Sequence, residues 1–202
     1  MAAARAPLPL VLASGSPQRR ALLARLGVPF TVRVSGASEL EQGEDPALVA
    51  VENALRKARA VRREGTPEAV LGCDTIVVLD GLIYGKPPDA AAARATLSAL
   101  GGRTHEVISG LALLLPSEQR TAVARTRVTF RPLHRELLDW YVATEEWRGR
   151  SGGYAIQGEG TALSLALDGE VENVVGLPLA PLLALYPELG SEPGSESTST
   201  RR

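Results

Sequence analysis

Seven polar side chains in this sequence are of types, and at positions, that could do chemistry: Ser14, Arg19, Glu39, Lys57, Asp74, Lys86 and Gln157. Asp74 sits inside an apolar run, Leu71-Gly72-Cys73-Asp74-Thr75-Ile76-Val77-Val78, where a carboxylate is costly unless a partner satisfies it. The cations are lopsided, because the 22 basic residues comprise 20 arginines and two lysines, Lys57 and Lys86. A chain this biased towards arginine keeps a lysine where a compact, flexible ammonium is wanted. Two carboxylates, several cations and a helix N-terminus together describe phosphoryl chemistry with a divalent metal. The metal falls to Asp74 and an acidic side chain from Glu39 or Glu41. The cations and free backbone N–H groups fall to the phosphates.

These residues need elements to position them. Residues 8–13 (LPLVLA) form a short apolar run suited to a buried strand, and residues 18–26 follow a helical pattern that stops at Gly27. Between them Ser14-Gly15-Ser16-Pro17 supplies an N-cap at Ser16 and a proline where the first helical residue needs no N–H. Arg19 and Arg20 stand in a first turn that ordinarily favours acidic side chains, which points to an anion bound from outside the chain. The plainer alternative is a capped helix with solvated arginines.

Residues 29–34 alternate like a strand, and an acidic loop with Glu39, Glu41, Glu44 and Asp45 follows. Asp45-Pro46 opens a second helix whose apolar face reads as Leu48, Val51, Leu55, Ala58 and Val61. Its run of Arg56, Lys57, Arg59, Arg62 and Arg63 reads as a solvated face, Lys57 excepted. Residues 70–79 and 82–84 pair as a hairpin about Asp80-Gly81. Gly85-Lys86-Pro87-Pro88 lacks the spacing of a P-loop. Asp89 caps an alanine-rich helix that ends at Gly101-Gly102. Residues 104–115 and 120–130 form a longer antiparallel pair, and residues 134–144 a helix. The glycine-rich stretch 148–153 reads as mobile, and Tyr154-Ala155-Ile156-Gln157-Gly158 follows it. A second hairpin about Asp168-Gly169 is expected to join residues 162–167 to 170–175, and residues 178–189 to form a last helix. Residues 191–202, rich in Ser, Glu and Pro, read as disordered, leaving residues 1–190 as one domain. Strands and helices mix without strict βαβ alternation, so the fold class is α/β with a mixed, largely antiparallel-paired twisted sheet and flanking helices.

The formal net charge of −1 excludes a global field that would draw the chain to nucleic acid or an acidic membrane. Any anion must therefore be held locally. The single cysteine, Cys73, excludes an intramolecular disulfide and is expected of a cytoplasmic protein. It reads as a small buried apolar residue. His105 and His134 have no triad partners in view and read as a strand-end and a helix-start imidazole. The first residues are too short and proline-rich for a signal peptide, and no segment is suited to span a membrane.

Leu12-Ala13-Ser14-Gly15-Ser16-Pro17-Gln18-Arg19-Arg20, Gly72-Cys73-Asp74-Thr75-Ile76-Val77, Gly85-Lys86-Pro87, Tyr154-Ala155-Ile156-Gln157-Gly158 and Val174-Val175-Gly176-Leu177-Pro178 resemble the successive signatures of the Maf family. The resemblance runs in register from about residue 8 to about residue 185. It implies a two-lobed fold around a central cleft, related to inosine triphosphate pyrophosphatases. It also implies a divalent cation (Mg or Mn), commonly a homodimer, and hydrolysis of a nucleoside triphosphate to the monophosphate and pyrophosphate. Asp74 then matches the proton acceptor, and Ser14, Arg19, Lys57 and Lys86 match phosphate-contacting positions. Glu39 is the best match to the second acidic residue and, with Asp74, to the metal site. Asp74-Thr75 with Ile156-Gln157-Gly158 resembles the branch acting on dTTP and UTP, which makes Thr75 and Gln157 candidates to read the base. The chain departs from the pattern at Gln18, where many members have arginine and which is a third candidate for specificity through base or phosphate, at Cys73, and at Arg150-Ser151. The rival readings are the same chemistry on purine triphosphates and a non-catalytic nucleotide-binding regulator of cell division.

Overall fold

A computed structural model describes residues 8–190. Among these residues seven strands form one mixed sheet flanked by six helices. Strand β1 (Leu10–Leu12) leads into helix α1 (Pro17–Ala24), and β2 (Phe30–Val32) returns parallel to β1. Helix α2 (Pro46–Val61) precedes the long central strand β3 (Ala69–Leu79), which turns through Asp80-Gly81 into β4 (Leu82–Tyr84). Both turn residues have positive φ, 52° and 78°, as a two-residue hairpin turn demands. After α3 (Ala90–Leu100) come β5 (Thr104–Leu114) and β6 (Gln119–Phe130), paired along their whole length, then α4 (Arg135–Ala143). The order across the sheet is β2-β1-β3-β5-β6-β7, with β7 (Ser164–Asp168) at the far edge and β4 also on β3. Among the described residues, no helix is long and apolar enough to cross a membrane.

The cleft follows from how β3 is paired. One edge is taken by β5 from Val70 to Val78. The other edge pairs with β1 over Ala69–Leu71 and with β4 over Val77–Leu79, which leaves a notch at residues 72–76. On one face of the sheet, a cluster around Leu12, Leu23, Leu71, Leu111 and Leu182 packs on the β1 side of that notch. A second, around Val77, Leu97, Phe130, Tyr141 and Trp147, packs on the β4 side. These are the two lobes, and Asp74 lies at their division. Helix α2 covers the opposite face over Val70, Ile76, Ile108 and Ala112.

Three expectations need correction. On α2 the expected Leu55 and Ala58 are buried and Val51 and Val61 pack against the same cluster, but Leu48 is 66% exposed and Ala47, Ala50 and Ala54 are buried in its place. The reason is steric: a Cβ on Gly72 would lie 2.0 Å from the Ala54 carbonyl oxygen, and one on Gly110 2.3 Å from the Ala50 carbonyl carbon. The helix therefore lies so close to the sheet that alanines, rather than the largest apolar residues, face it. The second hairpin does not form either, because residues 170–175 turn into a short helix, α5 (Val171–Val175). Thr126 exchanges hydrogen bonds with Glu170, and Asn173 donates to the Val107 carbonyl, so the chain folds back over the sheet. Valines 171, 174 and 175 favour strand locally, and tertiary contacts override them. Finally, α6 (Leu179–Leu185) is shorter than expected, since Pro187 disfavours helix at Tyr186 and a 3₁₀ turn (Pro187–Gly190) replaces it. The segment 191–202, read as disordered, lies outside the described residues.

Candidate active site

All nine candidate residues line one cavity of about 350 Å³ at the β3 notch: Ser14, Gln18, Arg19, Glu39, Lys57, Asp74, Thr75, Lys86 and Gln157. Glu41, the alternative to Glu39, is exposed and is not among the lining residues.

On the α2 side the charges form a chain. The buried Lys57 ammonium lies 2.5 Å from Asp74 Oδ1 and 2.7 Å from Glu39 Oε1. Lys86, half exposed at the cavity mouth, lies 3.3 Å from Glu39 Oε2. Burial pushes the Glu39 carboxyl up, but the Lys57 hydrogen bond and the charges of Lys57 and Lys86 hold it below its ordinary value. Asp74, 4% exposed, is satisfied on its other oxygen by Asn53 Nδ2 at 2.9 Å. Asn53 and Lys57 are four residues apart on α2 and so share a helix face. Asn53 was not singled out in the sequence; a polar residue one turn before the buried lysine was the available signal.

On the α1 side, Ser16 caps the helix, accepting from the Arg19 N–H, as its position in the sequence predicts. Each nitrogen of the Arg19 guanidinium has a protein partner: Nε donates to the Gly176 carbonyl at 2.9 Å, one terminal nitrogen to Ser14 Oγ and the other to Thr75 Oγ1, each at 3.3 Å. Thr75 Oγ1 also pairs with Ser109 Oγ at 2.8 Å, so a base edge reaching it has to displace a protein partner. The Gly176 carbonyl further accepts from the Cys73 thiol, which is fully buried and pushed up in pKa by that burial. Gln18 accepts from Ser16 Oγ at 3.0 Å.

The stretch read as mobile is a 3₁₀ turn (Ser151–Gly153) pinned to the sheet. Ser151 Oγ donates to the Thr75 carbonyl at 2.8 Å and the Gly152 N–H to the Gly85 carbonyl at 3.0 Å. The next loop, carrying Gln157, is fixed to α4 and its C-terminal end: Ala155 N–H donates to Tyr141 Oη and Gly160 N–H to Glu146. Val77, Val107, Tyr154, Ile156 and Val174 give this half of the cavity an apolar wall, with Gln157 the polar group beside it. The cavity thus offers a polar, charged end suited to polyphosphate and an apolar end suited to a planar ring.

Asp74 and Glu39 are hard oxygen donors close enough to share one ammonium. Among the described residues no group of three or more His, Cys, Asp or Glu gathers to cage a metal. One or two carboxylates completed by substrate phosphates is the donor set that Mg²⁺ takes, so the residues fit such an ion.

Comparison with known proteins is consistent with this geometry. A family model described as Maf-like protein matches residues 9–189. The chain is 44% identical over 182 residues to a dTTP/UTP pyrophosphatase of Symbiobacterium thermophilum, covering 90% of this chain and 94% of that one. It is 47% identical over 183 residues to one from Moorella thermoacetica, covering 88% and 94%. To one from Deinococcus radiodurans it is 43% identical over 176 residues, covering 87% and 90%.

Proposed function

The chain belongs to the Maf family, and from that premise we propose that it is a nucleoside triphosphate pyrophosphatase cleaving dTTP and UTP to the monophosphate and pyrophosphate. The observation that carries the reading is the Glu39–Lys57–Asp74 charge chain opening on the same cavity as the N-terminus of α1. Asp74 takes the proton of the water that attacks the α-phosphorus, oriented for that by Lys57 and Asn53. Lys86, Ser14 and the α1 N-terminus hold the phosphate oxygens, and the charge growing on the departing pyrophosphate meets Lys86, Lys57 and Arg19. A divalent cation held by Asp74, Glu39 and phosphate oxygens would neutralise phosphate charge and make water more acidic. Arg19, held rigid by three protein acceptors, presents its charge without reorganising. Gln157 reads the pyrimidine edge with an amide that both donates and accepts. Thr75 contributes chiefly by bracing Arg19. Gln18 stands beside the phosphate end, at the helix start.

The test is pyrophosphate release across dTTP, UTP, CTP and ITP with Mg²⁺ or Mn²⁺. The expected result is metal-dependent release, fastest with dTTP and UTP. A preference for ITP overturns the pyrimidine assignment. Nucleotide binding indifferent to metal, with no pyrophosphate released, overturns the enzyme reading in favour of a binding protein.

A further inference from the structure

Resting on the assignment of Asp74 as proton acceptor, we propose that Asn53 is a positioning residue that latches the Glu39 loop to Asp74. Asn53 is 1% exposed and carries no charge, and it touches both sides of the charged end. Its Nδ2 donates to Asp74 Oδ2 at 2.9 Å and to the Leu40 carbonyl at 3.0 Å, while its Oδ1 accepts from the Leu40 N–H at 2.7 Å. Both donor hydrogens and the acceptor are used, so the amide orientation is determined by its partners. Among the described residues, the backbone of residues 34–44 makes hydrogen bonds only at Leu40, and only through Asn53. That loop spans the connection from β2 to α2 without regular structure, yet it must deliver Glu39 to within 2.7 Å of Lys57. Asn53 pairs with Leu40 as a neighbouring strand would, through one N–H and one C=O. It therefore sets the separation of the two carboxylates, one on a rigid strand and one on a loop with no other backbone anchor.

Two substitutions divide the roles. Asn53→Asp keeps an acceptor for the Leu40 N–H but loses the donors to Asp74 and to the Leu40 carbonyl and sets a carboxylate against Asp74; Asn53→Ser loses both reaches. Residue-resolved hydrogen exchange and steady-state hydrolysis of UTP are measured on the parent, both variants and Asp74→Asn. In the parent, the Leu40 amide is expected to exchange at least tenfold more slowly than its loop neighbours. Asn53→Ser is expected to lose that protection, and Asn53→Asp to keep it. In both, kcat falls about 10–100-fold, the usual range for removing a residue that orients a ligand of the reacting centre, while KM for UTP moves less than about threefold. A purely structural role would instead lower the melting temperature and leave kcat per folded molecule unchanged. Near-parental kcat in both Asn53 variants, with Asp74→Asn inactive, overturns the latch and leaves Asp74 standing. Normal turnover by Asp74→Asn overturns both assignments. An unprotected Leu40 amide in the parent overturns the latch without any variant.

Discussion

Lys57 and Lys86 share the carboxylate of Glu39 but sit in different surroundings, with side chains 8% and 51% exposed. Removing the buried one leaves Asp74 with a single neutral donor, and breaking a buried pair costs about 3–5 kcal/mol. Lys57→Met is therefore expected to destabilise the fold by that order, read as a lowered denaturant midpoint, and to abolish turnover. Lys86 makes an exposed pair worth less than about 1 kcal/mol, so Lys86→Arg should leave the midpoint unchanged. It should still lower kcat/KM for UTP, because a planar guanidinium cannot occupy the place of a point charge against phosphate oxygens. A Lys86→Arg enzyme matching the parent in kcat/KM would remove the special status of that lysine. The rarity of lysine made both positions conspicuous in the sequence. The uncharged groups that orient the charged ones, Asn53 and Ser109, were not conspicuous, since a single polar residue in a helix or strand is ordinarily unremarkable until its partner is known.

Helix α2 brings Asn53 and Lys57 to Asp74 because the sheet beneath it has no side chains at two places. Gly110 is the cross-strand partner of Asp74, and Gly72 lies two residues before it on β3. A methyl group on Gly110 would sit within 2.4 Å of the α2 backbone at Ala50 and Val51. Backbone cannot swing aside as a flexible side chain can, so the helix must lift. Gly110→Ala is expected to cost about 1–3 kcal/mol, as overpacking does. It should also lower kcat more than it raises KM, since Lys57 and Asn53 are carried away from Asp74 together. Loss of stability with parental kcat in the folded fraction would show that the close approach serves packing alone. The existence of α2 was legible from Asp45-Pro46 and its apolar period, and so were Val51, Leu55, Ala58 and Val61 on its packed face, but the burial of Ala47, Ala50 and Ala54 in place of Leu48 was not. Periodicity ranks residues by hydrophobicity, whereas this interface selects them by size, and the glycines responsible are about 20 and 60 residues away in sequence. Helix α5 was illegible for a related reason, since three valines mimic a strand and only Thr126 and Val107, distant in the chain, turn them into a helix.

Across the whole molecule, the elements announced by turn chemistry were readable: the Ser16 and Asp89 caps, the Asp80-Gly81 hairpin and the long β5–β6 pair. The notch that makes the cleft was not, because it depends on two short strands, β1 and β4, sharing one edge of β3. The lobe on the β4 side buries a titratable imidazole. On the β4 side His105 is 1% exposed, edge-on to Phe130, with Nε2 2.8 Å from Tyr154 Oη. Burial lowers its pKa from 6.5 to about 4, so the folded chain holds it neutral. The unfolded chain takes up the proton near 6.5, so stability is fully present above that pH and is lost as pH falls towards 4. The difference amounts to roughly 3 kcal/mol at the acid end. Carboxylates held low by cations, such as Glu68 beside Arg33, lose their contribution only as pH falls below the ordinary carboxylate value. Between about pH 6.5 and 5 the slope is thus set mainly by the buried imidazole. His105→Phe keeps an aromatic ring among Phe130 and Tyr154 but cannot titrate. It should be less stable than the parent at pH 7.5, since Tyr154 Oη loses its partner, by about 1–3 kcal/mol. Its denaturant midpoint should nevertheless change less between pH 6.5 and 5, so that the two stability curves converge as pH falls. Parallel curves over that interval would mean that the imidazole is protonated in the folded state, and that the cavity's apolar wall is wetter than its packing shows.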